Sequence, residues 1–234
     1  MNSKLKTKIV LLPGLDGTGK LFEPFLKTCP EILDPVVISF PTQKFLPYSE
    51  LENWVLERIP KPDPFLLLAE SFSGPLAIRL TQRLGSELLG LVLCNTFIQP
   101  PCSPLFRFFP WTLVFRFPPP FWAMKFFLAD SSPDLIRQVQ ETIQSIAPNV
   151  LAGRIQEILD CDESLNFTRC SVPILYLRGT EDRLVGVSCF EKMKSLKSDL
   201  FYKELKVPHL LLQLAPIEAG ISISEFLNRF KTIF

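Results

Sequence analysis

The stretch Phe65-Leu66-Leu67-Leu68-Ala69-Glu70-Ser71-Phe72-Ser73-Gly74 decides how this chain folds. Its unbroken apolar start reads as a β-strand buried on both faces, the kind found in parallel sheets. The run stops at small residues, and Gly74 to Leu84 then carries apolar side chains at helical spacing. A strand that passes through a small-residue turn straight into a helix sets its middle residue, Ser71, on a sharp bend. The hydroxyl is raised above the carboxyl edge of the sheet, opposite the positive end of the following helix. Bulky flanking side chains would clash at such a bend. Ala69 and Ser73 meet that demand where the G-x-S-x-G pattern has glycines.

Outward from this elbow, short Val/Ile/Leu runs recur at Lys8 to Leu12, Pro35 to Phe40, Leu89 to Cys94, Pro173 to Arg178 and Leu200 to Leu205. Helix-period segments lie between them, including Glu50 to Ile59 and Ile217 to Phe230. That alternation predicts an α/β fold, a mostly parallel sheet with helices on both faces. One interval breaks it. From Thr96 to Val172 no strand pattern occurs, only helical periods and a proline-aromatic tract. The expected organisation is therefore a core of residues 1–96 and 173–234 carrying an inserted helical, aromatic-rich cap at 97–172. Within the cap, Ser132-Pro133 opens a helix with a capping residue and a proline at the first helical position, and Pro148 is expected to end it.

The 234 residues are 47% hydrophobic and 21% charged, a globular composition, and the formal charge of +1 gives no field to draw in a nucleic acid. The excesses are 22 prolines and 21 phenylalanines against 3 tyrosines. Met1 to Lys8 precedes too short an apolar run for a secretory leader, so a cytoplasmic protein is expected. Phe108 to Phe127 is nearly as long as a membrane helix but carries Arg116, Lys125 and four prolines. Six cysteines without a C-x-x-C pair, beside a single histidine, suggest reduced thiols and no metal site.

A serine hydroxyl needs a base to remove its proton and a third group to orient that base. The base is the sole histidine, His209, in Val207-Pro208-His209-Leu210 after the last strand run. The acid is Asp182, in Arg178-Gly179-Thr180-Glu181-Asp182 after the run before it, with Glu181 its neighbour and rival. Acyl chemistry also needs backbone donors for a developing oxyanion. The loop Pro13-Gly14-Leu15-Asp16-Gly17-Thr18-Gly19 follows the first strand run and supplies the Leu15 N–H; the elbow supplies the Phe72 N–H. The glycine spacing of that loop fits neither G-x-G-x-x-G nor G-x-x-x-x-G-K-[ST], which disfavours a nucleotide site. Glu70 and Asp16 read as local hydrogen-bonding and turn groups, and Ser73 as a turn residue.

Leu-Leu-Pro-Gly-Leu-Asp-Gly-Thr-Gly, Ala-Glu-Ser-Phe-Ser-Gly, Arg-Gly-Thr-Glu-Asp and Val-Pro-His-Leu together resemble the α/β-hydrolase superfamily across essentially the whole chain. The order Ser71, Asp182, His209 is the one that superfamily uses. Within it the chain is similar to small bacterial serine esterases, including the pimeloyl-carrier methyl ester esterase group, and to the hydrolase-like half of plant phytyl ester synthases. It departs from the superfamily at Pro13-Gly14, where His-Gly is usual, and at Ala69 and Ser73. The resemblance implies a serine hydrolase acting on an ester or thioester of an apolar acyl group, with no cofactor. An acyltransferase and a non-catalytic acyl-binding module are the alternatives. Phe97, Phe109, Trp111, Phe121 and Trp122 are candidates to line an acyl pocket, although aromatic stripes are as often core. Arg107, Arg116 and Lys125, with no acidic residue beside them, make the cap a candidate docking face for an anionic acyl carrier or lipid surface.

Overall fold

The computed structural model describes residues 6–60, 63–128 and 131–231. The leader reading on Met1 to Leu5 and the last residue of the aromatic tract, Ala129, fall outside them. Six strands run parallel in one sheet: β1 (Thr7–Leu12), β2 (Leu33–Val37), β3 (Phe65–Glu70), β4 (Leu88–Cys94), β5 (Ile174–Gly179) and β6 (Phe201–Leu205). Their order is β2-β1-β3-β4-β5-β6, so the β3 elbow opens near the middle of the sheet.

The helices before the long break are α1 (Glu23–Lys27), α2 (Tyr48–Leu56) and α3 (Ser73–Leu80). Then come a 3₁₀ turn at Pro104–Phe108, α4 (Trp111–Val114), α5 (Phe121–Phe127), α6 (Pro133–Gln144), α7 (Pro148–Asp160) and α8 (Ser164–Arg169). α9 (Val187–Leu196), α10 (Leu211–Leu214) and α11 (Pro216–Lys231) complete the chain. Among the described residues between Thr96 and Val172 there is no strand.

Strand alternation divides the core into two apolar layers. Val10, Leu12, Leu67 and Leu93 face α2, α3, α8 and α9, whereas Ile9, Leu11, Leu66 and Val92 face α1, α10 and α11. Both faces are covered, which is why the central strands read as continuous apolar runs rather than alternating ones. Truncating one of these fully buried leucines to alanine costs ~2–5 kcal/mol.

Two expectations need correction. The second strand covers Leu33–Val37 rather than Pro35 to Phe40. Pro35 is tolerated because β2 is an edge strand, and Ile38 and Phe40 are apolar because they pack into the α2 layer beyond its end. Pro148 does not end a helix. α6 stops at Gln144, and Pro148 is the first residue of α7, where its missing N–H costs nothing.

Candidate active site

The parallel sheet gathers the carboxyl ends of β1, β3, β4, β5 and β6 along one edge, and the loops leaving them build the site. Ser71 sits between β3 and α3 with φ 52°, a left-handed conformation that a non-glycine residue holds only when its surroundings impose it. They do so by hydrogen bonding. Ser71 N–H donates to Cys94 O at 3.0 Å, and Ser71 O accepts from Gly74 N–H at 3.0 Å and Thr96 Oγ1 at 2.5 Å. Ser73 Oγ donates to Pro13 O and ties the elbow to the first loop. Tyr48 Oη donates to Phe72 O at 2.6 Å while its ring stacks on Phe72. Gly74 is needed here, because a Cβ would lie 1.9 Å from Thr96 Oγ1.

His209 Nε2 stands 2.9 Å from Ser71 Oγ, and its Nδ1 stands 2.8 Å from Asp182 Oδ2. Since a carboxylate only accepts, Nδ1 carries the proton and Nε2 is left to accept from the serine. Asp182 Oδ1 accepts from the Leu184 and Val185 amides at 2.8 and 2.9 Å, so the carboxylate is fixed on both oxygens. The Asp182 side chain is 1% exposed and that of His209 10%. Burial alone would lower the imidazole pKa; the Asp182 charge and hydrogen bond, with a smaller push from Glu70, outweigh it and raise the pKa. Glu181 points elsewhere, toward Lys206.

In the first loop Asp16 accepts from the Thr18 amide and hydroxyl, the turn-forming role expected of it. Among the described residues, no acceptor is bonded to the Leu15 or Phe72 amide. Glu70 is buried beside Gln213, whose Nε2 donates to it at 3.3 Å. The aromatic candidates separate. Phe97 lies buried in the α2-side layer, Phe109 is exposed between the 3₁₀ turn and α4, Trp111 opens α4, and Phe121 and Trp122 are exposed on α5.

No protein-family model matches the chain, and no curated protein matches it in sequence. Solved structures do. A hydrolase from Pseudomonas aeruginosa superposes with TM-score 0.76 at 16% identity, covering 95% of this chain and 90% of that one. An enol-lactonase from Burkholderia xenovorans gives TM-score 0.79 at 14% identity, with 97% and 94% coverage. A thermophilic esterase from Thermogutta terrifontis gives 0.77 at 15%, with 97% and 91%. The fold is that of the α/β hydrolases. In this α/β-hydrolase fold Ser71 follows β3, Asp182 follows β5 and His209 follows β6, and a separation of 138 residues closes to one hydrogen bond.

Three residues of this arrangement escaped the reading of the sequence. Asn95, at the end of β4 with φ 41°, donates from Nδ2 to Pro208 O and His209 O at 3.2 and 2.8 Å, and accepts from Gly179 N–H at 2.6 Å. It thereby pins the histidine loop to the end of β5. Gly179 permits that approach, since a Cβ there would meet Val207 O at 2.5 Å. Arg154, on α7 and 2% exposed, donates to Leu15 O, Asp16 O and Pro41 O, each at 2.8 Å. Gln213 is the third. A signal existed for two of them: Asn95 is a polar residue directly after a buried strand, and Arg154 falls on the apolar face of α7 with Val150 and Leu151.

Proposed function

We propose that this chain is a serine hydrolase that cleaves carboxylic esters or thioesters carrying an apolar acyl group through an acyl-enzyme. The hydrogen-bonded line from Asp182 through His209 to Ser71, on a backbone held at positive φ, carries the reading. Ser71 Oγ attacks the carbonyl as His209 Nε2 accepts its proton. The tetrahedral intermediate collapses when the bond to the leaving alkoxide or thiolate breaks and His209 returns that proton to it. Water, deprotonated by the same imidazole, then releases the acid and regenerates Ser71. Asp182 keeps Nδ1 protonated and stabilises the imidazolium. The Leu15 and Phe72 amides, uncommitted among the described residues, are the donors for the oxyanion, commonly worth about 10²–10³ in rate each. Residues 97–172 act as a cap over the acyl group.

Two measurements test this together. A fluorophosphonate probe should label the wild type and not Ser71→Ala, and p-nitrophenyl esters of graded chain length should be turned over by the wild type alone. Absence of labelling would leave a non-catalytic acyl-binding module. Turnover that appears only when a long-chain alcohol is supplied would establish an acyltransferase instead.

A further inference from the structure

The segment from Leu105 to Phe126 shows water a surface that a globular protein normally hides. The 3₁₀ turn and α4 pack against α7, and α5 packs against α6. Along the segment Leu105 is 76% exposed, Phe108 84%, Phe117 66%, Trp122 75% and Phe126 54%. Isolated exposed apolar residues are ordinary, but a run of large aromatic ones marks a surface that something covers.

Charge indicates what covers it. From Phe97 to Ala129 the sequence has no aspartate or glutamate. Arg107 pairs with Asp160, whereas Arg116 and Lys125 are exposed and make no ion pair among the described residues. A second copy docked about a two-fold axis would set these unpaired cations against themselves. Aromatic side chains interleaved with basic ones, with no acid among them, match the acyl boundary and phosphates of an anionic bilayer. The pieces are too short to cross it: α4 has 4 residues and α5 has 7, and no described helix is long and apolar enough to span a membrane.

The face also joins the candidate site from behind. Arg183, next to Asp182, donates to Phe126 O at 2.9 Å and lies over the Phe126 ring. Leu128, just past α5, packs with Leu21 and with Leu210, which follows His209. We propose that the outer face of Leu105–Phe126 seats this protein on an anionic lipid bilayer, its aromatic side chains in the headgroup-acyl boundary and Arg116 and Lys125 on lipid phosphates. The docking stands without the catalytic reading. Only its use, the transfer of acyl esters from the bilayer to Ser71, rests on that reading.

The test is co-sedimentation of the full chain bearing Ser71→Ala with vesicles of phosphatidylcholine alone or mixed equally with phosphatidylglycerol, with soluble-ester turnover by the wild type read separately. Binding should favour the anionic vesicles and weaken with added salt. Arg116→Gln with Lys125→Gln should weaken it about thirtyfold and remove the lipid preference, as expected for two basic residues at a charged surface. Phe108→Ser with Phe117→Ser should weaken it at least about tenfold on both vesicle types while the thermal melt stays within about 2 °C. Failure to sediment with either vesicle overturns the proposal, as does equal affinity for both. So does a lipid-free dimer abolished by the phenylalanine substitutions, or capture by an acidic acyl-carrier protein alone. Vesicle binding without ester turnover upholds docking and sinks the catalytic reading; turnover without vesicle binding does the reverse.

Discussion

Glu70, immediately before Ser71, should make the protein less stable as pH rises through neutrality. Its side chain is buried against Gln213, and Glu70 Oε1 and Gln213 Oε1 both lack a partner among the described residues. A proton on Glu70 turns two orphaned acceptors into a donor and an acceptor, so the neutral acid fits this pocket better than the carboxylate. Burial is the largest influence on the group. The His209 charge and the Gln213 hydrogen bond pull the other way, while Asp16 and Asp182 add to it, and the pKa is raised from 4.5 to about 7. The fold therefore binds more protons than the unfolded chain between those values, and stability must fall as pH climbs through that window. Between about pH 5 and about pH 8 the loss amounts to roughly 2–3 kcal/mol. Glu70→Gln keeps the shape and removes the titration. Its melting temperature should overtake the wild type's with rising pH, the gap changing by roughly 4–12 °C across that range. His209, whose pKa is also raised, loses stability with pH in the same direction; most of that rise comes from Asp182 and is common to both proteins, so the difference reports Glu70 together with its smaller push on His209. Calorimetric melts of both proteins across the range are the assay. Parallel curves would show that Glu70 does not take up a proton on folding in this range.

Two further predictions concern the triad and its support. The acid limb of kcat/KM should lie above pH 6.5, because Asp182 raises the His209 pKa against burial; Asp182→Asn should move the limb down and cut kcat about 10³–10⁴-fold in a pH-rate profile. Arg154→Met strips the donor from three carbonyls and should cost ~2–4 kcal/mol in urea unfolding. Ester turnover should fall about 10²-fold in the same variant as the Leu15 loop loosens, and a folded variant with wild-type kcat would show that Arg154 does not position it.

The strand runs and the elbow were legible because central parallel strands are apolar at every position, and because a strand-to-helix turn through Ala69, Ser71, Ser73 and Gly74 allows few geometries. Ser71, Asp182 and His209 could be singled out because each follows a strand run and the chain has one histidine. Edge behaviour was harder to read. Ile38 and Phe40 carry the apolar signal of a strand while serving as core residues past the end of β2. Pro148 looked like a terminator because a proline between two helices reads equally well as the end of one or the start of the next. Asn95 and Arg154 stayed hidden for a deeper reason. Their own types and positions were signals, but their partners are backbone groups, the Pro208 and His209 carbonyls and the Gly179 N–H for one, the Leu15, Asp16 and Pro41 carbonyls for the other, and a backbone group leaves no residue-type signature in sequence.

These silent residues decide how well the site is held. The triad spans three loops that share no covalent support, and a serine at positive φ, an imidazole and a carboxylate must keep hydrogen-bond geometry to within a few tenths of an ångström. Thr96 binds the elbow carbonyl, Asn95 binds the histidine loop and the end of β5, and Arg154 reaches from α7 to bind the first loop. Each lies buried, where a hydrogen bond is stronger and an unmet partner more costly than at the surface. Arg154 has a further consequence, because it rises from the 97–172 segment rather than from the sheet. Any movement of α7 is then felt at the carbonyls of Leu15 and Asp16, beside the amide expected to hold the oxyanion. α7 is consequently part of the site's scaffold and cannot lift away without releasing the loop beneath it.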